Sequence, residues 1–529
     1  MNWLERWLFP RSRFVNFIII ACFSTVFSFL LIGRQVWQAD WGMIDDHEVF
    51  SFLGPHLHLS LDEIWSTLLS KTEVGSLQGR FRPTYYLFKM IETWLWGANV
   101  HLWYLTCTIC FAIFLSSVWW IMLRFVGGWL SGVLTAAISL LSLWTDVWSR
   151  LGPSEIYGAA CVGMMLYSTD LVLSSENRKV RNAGAVILTL ATIVLIGMKE
   201  TFVPLAIGPA AIFIVAGIRK KLSPILICIL ALLILICLGG IVFVSSKEVA
   251  AMGTDYYGKS AGLWVVLGFS VLGLFDAILR TWWLYVIPIF LFQVLDVIPR
   301  KPLVGWIADS SAAVGIYVFL VVAYAAQCGL YRFLFPHNMR YDFPAMLLVP
   351  ATCCVLACEA SRKLRSIFPE RTIDYAQLAA AVFLIFALII ANLGKEPPLS
   401  AAVRKNIEKT NLFYNELQRA VDAAKKAPEN PIILEVYNPA GFEPVFSLST
   451  YLSALGARNR ISVRLHPENK SYGTFYSGLH QELLNIQNLG TSTFTRLQDS
   501  LAKASGGCIS VGIDGPPEDT CSGFRVGTL

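Results

Sequence analysis

About eleven apolar runs, each near the roughly 19 residues needed to cross the hydrocarbon of a bilayer, occupy the chain up to Asn392. They begin near Phe14, His101, Gly128, Ile156, Asn182, Phe202, Ser223, Thr281, Ser310, Phe343 and Asp374. Inside hydrocarbon every backbone polar group must be satisfied within the segment, so such runs fold as transmembrane helices. Composition agrees: 55% of the 529 residues are hydrophobic and only 15% charged, which excludes an ordinary soluble globular chain. Arg6, Arg11 and Arg13 precede the first run, which is too long for a signal peptide and lacks its small-residue cleavage pattern, so a retained anchor is expected.

With a cytoplasmic N-terminus, the inner connections become Arg124; Arg178, Lys179 and Arg181; Arg219, Lys220 and Lys221; Arg300 and Lys301; and Arg362, Lys363, Arg365 and Arg371. Each is basic, as the positive-inside rule requires, and one missed span would put the later clusters on the wrong side. The net charge of +6 resides in these short clusters and not along one face, so nucleic acid is not an expected partner. Most of the twelve cysteines lie in apolar runs, where a small buried hydrophobe is the plain reading.

The orientation gathers the unusual polar residues on the outer side. The first outer loop, residues 34–100, is too long to be a mere connection and must carry structure of its own. In it, Leu61, Ile64, Trp65, Leu68 and Leu69 recur at helical spacing, which fits an amphipathic helix lying on the bilayer or on protein. The spans read as nearly free of interior charge. Past the last span the composition turns polar, and residues 395–529 form a tail the size of a small domain. Its helical pattern over 406–424 and 449–455, with strand-like runs at 432–437, 461–465 and 508–511, predicts an external α/β module. Cys508 and Cys521, the two cysteines of that tail, pair as a disulfide if the compartment is oxidising and are otherwise free thiols.

Asp45, Asp46, His47 and Glu48 follow the first span closely. Carboxylates so near hydrocarbon are costly unless they face water, a pocket or a cation. Four further polar motifs share this outer side: Gly79-Arg80-Phe81-Arg82-Pro83, Leu151-Gly152-Pro153-Ser154-Glu155, Gly197-Met198-Lys199-Glu200-Thr201 and His337-Asn338-Met339-Arg340-Tyr341. Their order resembles the GT-C class of integral-membrane glycosyltransferases, in particular the protein O-mannosyltransferase-like and bacterial cell-envelope branches. The resemblance covers roughly Arg34 to Pro350, each motif being weak alone and the ordered set more specific.

That resemblance implies GT-C-like architecture for the membrane domain, residues 1–394; the tail from Lys395 matches no partner domain of the class, and its extracytoplasmic α/β reading comes from its own pattern and the span count. The resemblance also implies an inverting glycosyltransferase that takes sugar from a polyprenyl-phosphate-linked donor. The acceptor would be a glycan, a lipid or a protein hydroxyl at the outer face of an inner (plasma) membrane, on the periplasmic side, among membrane lipids. Asp45 and Asp46 match the catalytic carboxylates of the class, Lys199 with Glu200 its external Lys-Glu pair, and Arg340 with Tyr341 its late Arg-Tyr motif.

The chemistry points the same way. A lipid phosphate leaves as a stable anion, so one base suffices, and a single base acting opposite the leaving group inverts the sugar carbon, unlike a retaining pair. Asp45 is the expected base and Asp46 its orienting neighbour, the two being interchangeable at this stage. Arg80, Arg82, Lys199 and Arg340 are the expected partners of the departing phosphate, and Glu48, Glu155, Glu200 and Tyr341 are supporting candidates. Bland readings stand beside these: a solvated helix start for the acids, headgroup anchoring for Arg80 and Arg82, an ion pair for Lys199 and Glu200, and a helix-start cap for Glu155. Asp45, Asp46 and Glu48 carry the oxygen ligands that Mg or Mn takes, so metal-dependent and metal-free sites are both compatible with the sequence. A transporter or flippase of lipid-linked glycans, or a glycan polymerase or ligase, is the alternative.

Overall fold

The computed structural model describes residues 12–43, 46–53, 56–72, 81–126, 128–252, 263–294, 311–331, 339–365, 368–391, 396–436, 442–465, 495–496, 507–513 and 521–525. Among them, eight helices are long and apolar enough to cross a membrane. The first, α1 (Arg13–Ile32), spans about 30 Å at 1.5 Å per residue. Four short helices follow: α2 (Arg34–Gln38), α3 (Asp46–Ser51), α4 (Glu63–Thr72) and α5 (Pro83–Trp96). Next come α6 (Val100–Phe125), α7 (Gly128–Ser139), α8 (Thr145–Trp148), α9 (Glu155–Ser174) and α10 (Arg178–Ile196). A 3₁₀ turn over Glu200–Ala206 leads into α11 (Ile207–Ile218). The membrane region closes with α12 (Pro224–Met252), α13 (Leu263–Val294), α14 (Ser311–Leu330), α15 (Leu348–Arg365) and α16 (Glu370–Ala391). The runs expected near Gly128, Ser310 and Asp374 correspond to shorter apolar helices.

Contacts fix which helix ends lie together. Arg124 near the end of α6 pairs with Asp170 near the end of α9 at 3.1 Å, Arg181 reaches back to the Ser175 carbonyl, and Cys358 of α15 meets Met122 of α6. The basic connections after α6, α9 and α15 therefore collect at one end of the bundle. At the other end, the N–H of Thr84 donates to the Gly197 carbonyl and Gln35 donates to the Trp148 carbonyl.

The expectation of spans nearly free of interior charge is corrected. Asp276 and Arg280 lie within the apolar window Trp264–Leu284 of α13 and pair at 2.7 Å, and Asp276 also accepts from the Tyr324 hydroxyl of α14. This span starts near Trp264 and not near Thr281, because pairing within the helix and to its neighbour lowers the cost of carrying both charges through hydrocarbon.

Helix α4 forms where the apolar spacing predicts it. The side chain of Glu63 accepts from the N–H and hydroxyl of Ser60 at 2.8 and 2.6 Å, a capping arrangement that starts the helix. These bonds, the hydroxyl one above all, hold the Glu63 carboxyl below its ordinary range. Leu68 is buried, whereas Leu61, Trp65 and Leu69 are exposed.

Beyond α16, α17 (Pro398–Lys426) leads to β1 (Ile432–Val436), α18 (Phe442–Ala454), β2 (Ile461–Leu465), β3 (Thr495–Arg496), β4 (Ile509–Ile513) and β5 (Ser522–Arg525). The strands form one all-parallel sheet in the order β3-β2-β1-β4-β5, with Ile432 opposite both Ile461 and Ile509. Strands β1 and β4 are buried along their whole length, as central parallel strands covered on both faces must be. Cys508 and Cys521 are disulfide-bonded just ahead of β4 and β5. The apolar stripe of α17, including Leu399, Val403, Phe413, Leu417 and Val421, is buried, and this helix touches α2 and α8 as well as β4 and β5. Sheet and bundle thereby share one continuous apolar core, from Leu31 to Ile513.

Candidate active site

The acidic turn after α2 leaves regular structure, so its backbone groups need partners from elsewhere. The Asp40 N–H donates to Thr410 and Asn411 of α17, both at 3.2 Å. The carbonyls of Gly42 and Met43 accept from Tyr451 and Ser447 of α18. Trp41 is fully buried, edge-on to Phe50 and Trp103. Burial, and after it the charge of Asp46, push the Tyr451 phenol well above its ordinary range.

Asp46 is only 3% exposed. One carboxylate oxygen accepts the Gly42 N–H at 2.8 Å and the other faces the Leu151 N–H at 3.4 Å. Gly42 leaves little room for a side chain, since a Cβ would stand 2.9 Å from the Asp46 carboxylate and 3.3 Å from the Thr410 methyl. Gly42→Ala should therefore cost about 1–3 kcal/mol of stability by overpacking, visible as a lowered thermal midpoint in detergent. An unchanged midpoint would show that the turn has room to relax. Asp45 and Arg80 lie outside the described residues, as do the side chains of His47, Glu48 and Tyr341, although α3 includes positions 47 and 48 and a 3₁₀ turn, Met339–Asp342, includes position 341.

Three of the four expected cations converge, but two of them already hold carboxylates. Arg82 grips Glu200 with two parallel hydrogen bonds of 3.1 and 2.7 Å, the geometry that makes a guanidinium–carboxylate pair strong. Lys199 is fully buried against Glu155, with its ammonium 5.8 Å from the centre of the Tyr331 ring. Arg340 adds a second positive charge close to Glu155, and Lys199 acts on Glu200 as well. The expectation of separate Lys199–Glu200 and Glu155 features is thus corrected: the pairs are crossed, Lys199 with Glu155 and Arg82 with Glu200. The chain turns sharply after Gly197, so neighbouring side chains diverge to different partners.

A second ionic cluster escaped the sequence reading. Lys89 of α5 is only 1% exposed. It bonds the Tyr157 hydroxyl at 2.7 Å, the Leu151 carbonyl at 3.0 Å and Glu92 at 3.3 Å, while Tyr157 donates to Glu92. The rings of Trp103 and Tyr157 flank the ammonium at 5.2 and 4.8 Å, within cation–π range. The i,i+3 spacing of Lys89 and Glu92, within the outer loop of residues 34–100, is the available signal. Tyr85 of the same helix donates to the Gly152 carbonyl.

Residues 151–157 are consequently the hub of the site: Leu151 meets Asp46 and Lys89, Gly152 meets Tyr85, Glu155 meets Lys199, and Tyr157 meets Glu92. Among the described residues, no group of three or more His, Cys, Asp or Glu stands where it could hold a metal ion. Comparison with known proteins finds no matching family model, no matching curated protein and no matching solved structure.

Proposed function

We propose that this chain is an inverting membrane glycosyltransferase of GT-C type, moving sugar from a polyprenyl-phosphate donor to a hydroxyl of a glycan, lipid or protein. The supporting observation is the hub at residues 151–157, which ties Asp46, Lys89, Glu92, Lys199 and, through Glu155, Arg340 to one end of the bundle. The basic connections after α6, α9 and α15 lie at the other end, which under the positive-inside rule supports an extracytoplasmic hub. In this reading the eight long helices and the three shorter apolar ones make eleven spans, with a cytoplasmic N-terminus and an extracytoplasmic sheet.

Asp45 is assigned as the base, because Asp46 is buried with both oxygens directed at backbone N–H groups. The acceptor oxygen attacks the anomeric carbon as its proton passes to Asp45. The bond from that carbon to the phosphate oxygen breaks, and polyprenyl phosphate departs with the electron pair. Arg82 and Arg340 line its exit, and Glu155 and Glu200 hold the cations in place before the donor arrives. Purified protein in detergent, offered a small panel of radiolabelled polyprenyl-phosphate sugars, should transfer at least one of them to an added acceptor extract. Failure with every donor would sink this reading.

A transporter of lipid-linked glycans is favoured by one observation, the Asp276–Arg280 pair within α13, since ionisable groups in a span often mark a translocation path. Glycolipid movement across reconstituted vesicles that is lost in Asp276→Asn, without any sugar transfer, would favour that alternative.

A further inference from the structure

We propose that Tyr451 and Ser447, on a helix of the C-terminal sheet, are positioning residues for the acidic turn, so that the catalytic site is complete only when the sheet is docked on the bundle. This rests on the glycosyltransferase reading and extends it to residues in the C-terminal segment.

Two N–H groups directed at Asp46 belong to Gly42 and Leu151. The carbonyl of each of those residues is also gripped, by partners on opposite sides. Leu151 accepts from Lys89 of the membrane region at 3.0 Å, and Gly42 accepts from Tyr451 of α18 at 2.7 Å. The next carbonyl, that of Met43, takes the Ser447 hydroxyl. Asp46 is thus held between a bundle-side and a sheet-side anchor, and the sheet-side one sits two and three residues before Asp45.

The Tyr451 ring also packs on Phe50 of α3, centroids 4.6 Å apart, and on Phe413 of α17 at 5.4 Å. A phenylalanine would keep those ring contacts, so the hydroxyl contributes orientation of the turn more than apolar packing. The buried hydroxyl satisfies a carbonyl that the turn itself cannot.

The test uses the full-length chain in detergent with Tyr451→Phe and Ser447→Ala, and Ser447→Thr as the variant that keeps a hydroxyl. Hydrogen exchange over residues 39–50 and over β1 is measured beside kcat and donor KM for a polyprenyl-phosphate sugar that the wild type uses. Exchange over 39–50 should quicken about tenfold in Tyr451→Phe and in Ser447→Ala, with β1 unchanged. Their kcat should fall by a similar factor at constant donor KM, which is the scale of one lost hydrogen bond. Ser447→Thr should restore both. Unchanged exchange over 39–50, or quickening that extends equally through β1, would overturn the positioning role, the second pattern marking a residue that merely stabilises the fold. Absence of transfer by the wild type from every donor sinks the glycosyltransferase reading and the role in transfer with it, whereas unchanged exchange beside active transfer sinks the docking role alone.

Discussion

Replacing Asp45 by asparagine should reduce sugar transfer by roughly 10²- to 10⁴-fold, the usual contribution of a positioned general base, while the thermal midpoint stays near that of the wild type. Asp46→Asn should behave in the opposite sense. An amide keeps one acceptor oxygen but sets an NH₂ group against the N–H of Gly42 or of Leu151. The 2.8 Å bond from Gly42 makes that a contact at close quarters, so destabilisation is the leading effect and lost transfer follows from it. Rates and melts of both variants in one detergent separate the two roles. Equal loss of rate with both midpoints intact would return the aspartates to interchangeable bases, and full activity in Asp45→Asn would end the acidic-base mechanism.

The second large effect is expected at Lys199. Its ammonium and the Glu155 carboxylate are each about 2% exposed, and removing Lys199 leaves the buried carboxylate with only the weaker influence of Arg340, at a cost of up to about 3–5 kcal/mol. Lys199→Met should therefore fold poorly. Adding Glu155→Gln should recover much of the loss, because the stranded carboxylate is gone, and the four forms make a double-mutant cycle. Transfer should remain low in the refolded double variant if the paired charges serve the departing phosphate. A single variant as stable as the wild type would show that water or another cation reaches Glu155 when the lysine is absent. Full transfer by the double variant would confine the pair to structure.

What the sequence made legible, and what it did not, follows from the range of the forces involved. The membrane helices announce themselves because transfer into hydrocarbon is a local property summed over one window. The start of α13 was misplaced because Asp276 and Arg280 depress that window, and their compensation comes partly from Tyr324, 48 positions away. The strands β1, β2 and β4 were readable as short apolar runs. Strand β5, Ser522–Arg525, has no such run and is defined by its pairing with β4. The acidic motif was found by its charge density, yet adjacent aspartates look alike in sequence. Only the placement of Gly42 and Leu151 gives Asp46 an anchoring part. Lys89 was missed for a related reason: a lysine in a loop is ordinarily solvated, and its burial depends on Leu151, Trp103 and Tyr157, which reach it through the tertiary fold.

The grip of Tyr451 on Gly42 joins residues 409 positions apart, and this fixes an order of events at birth. The acidic turn leaves the ribosome soon after the first anchor, but its partner helix follows only after roughly 20–80 s of synthesis at about 5–20 residues per second. During that interval the turn has no sheet to rest on. Under the proposed function, a nascent chain would thus be inserted yet idle until α18 has been made and has seated on the turn.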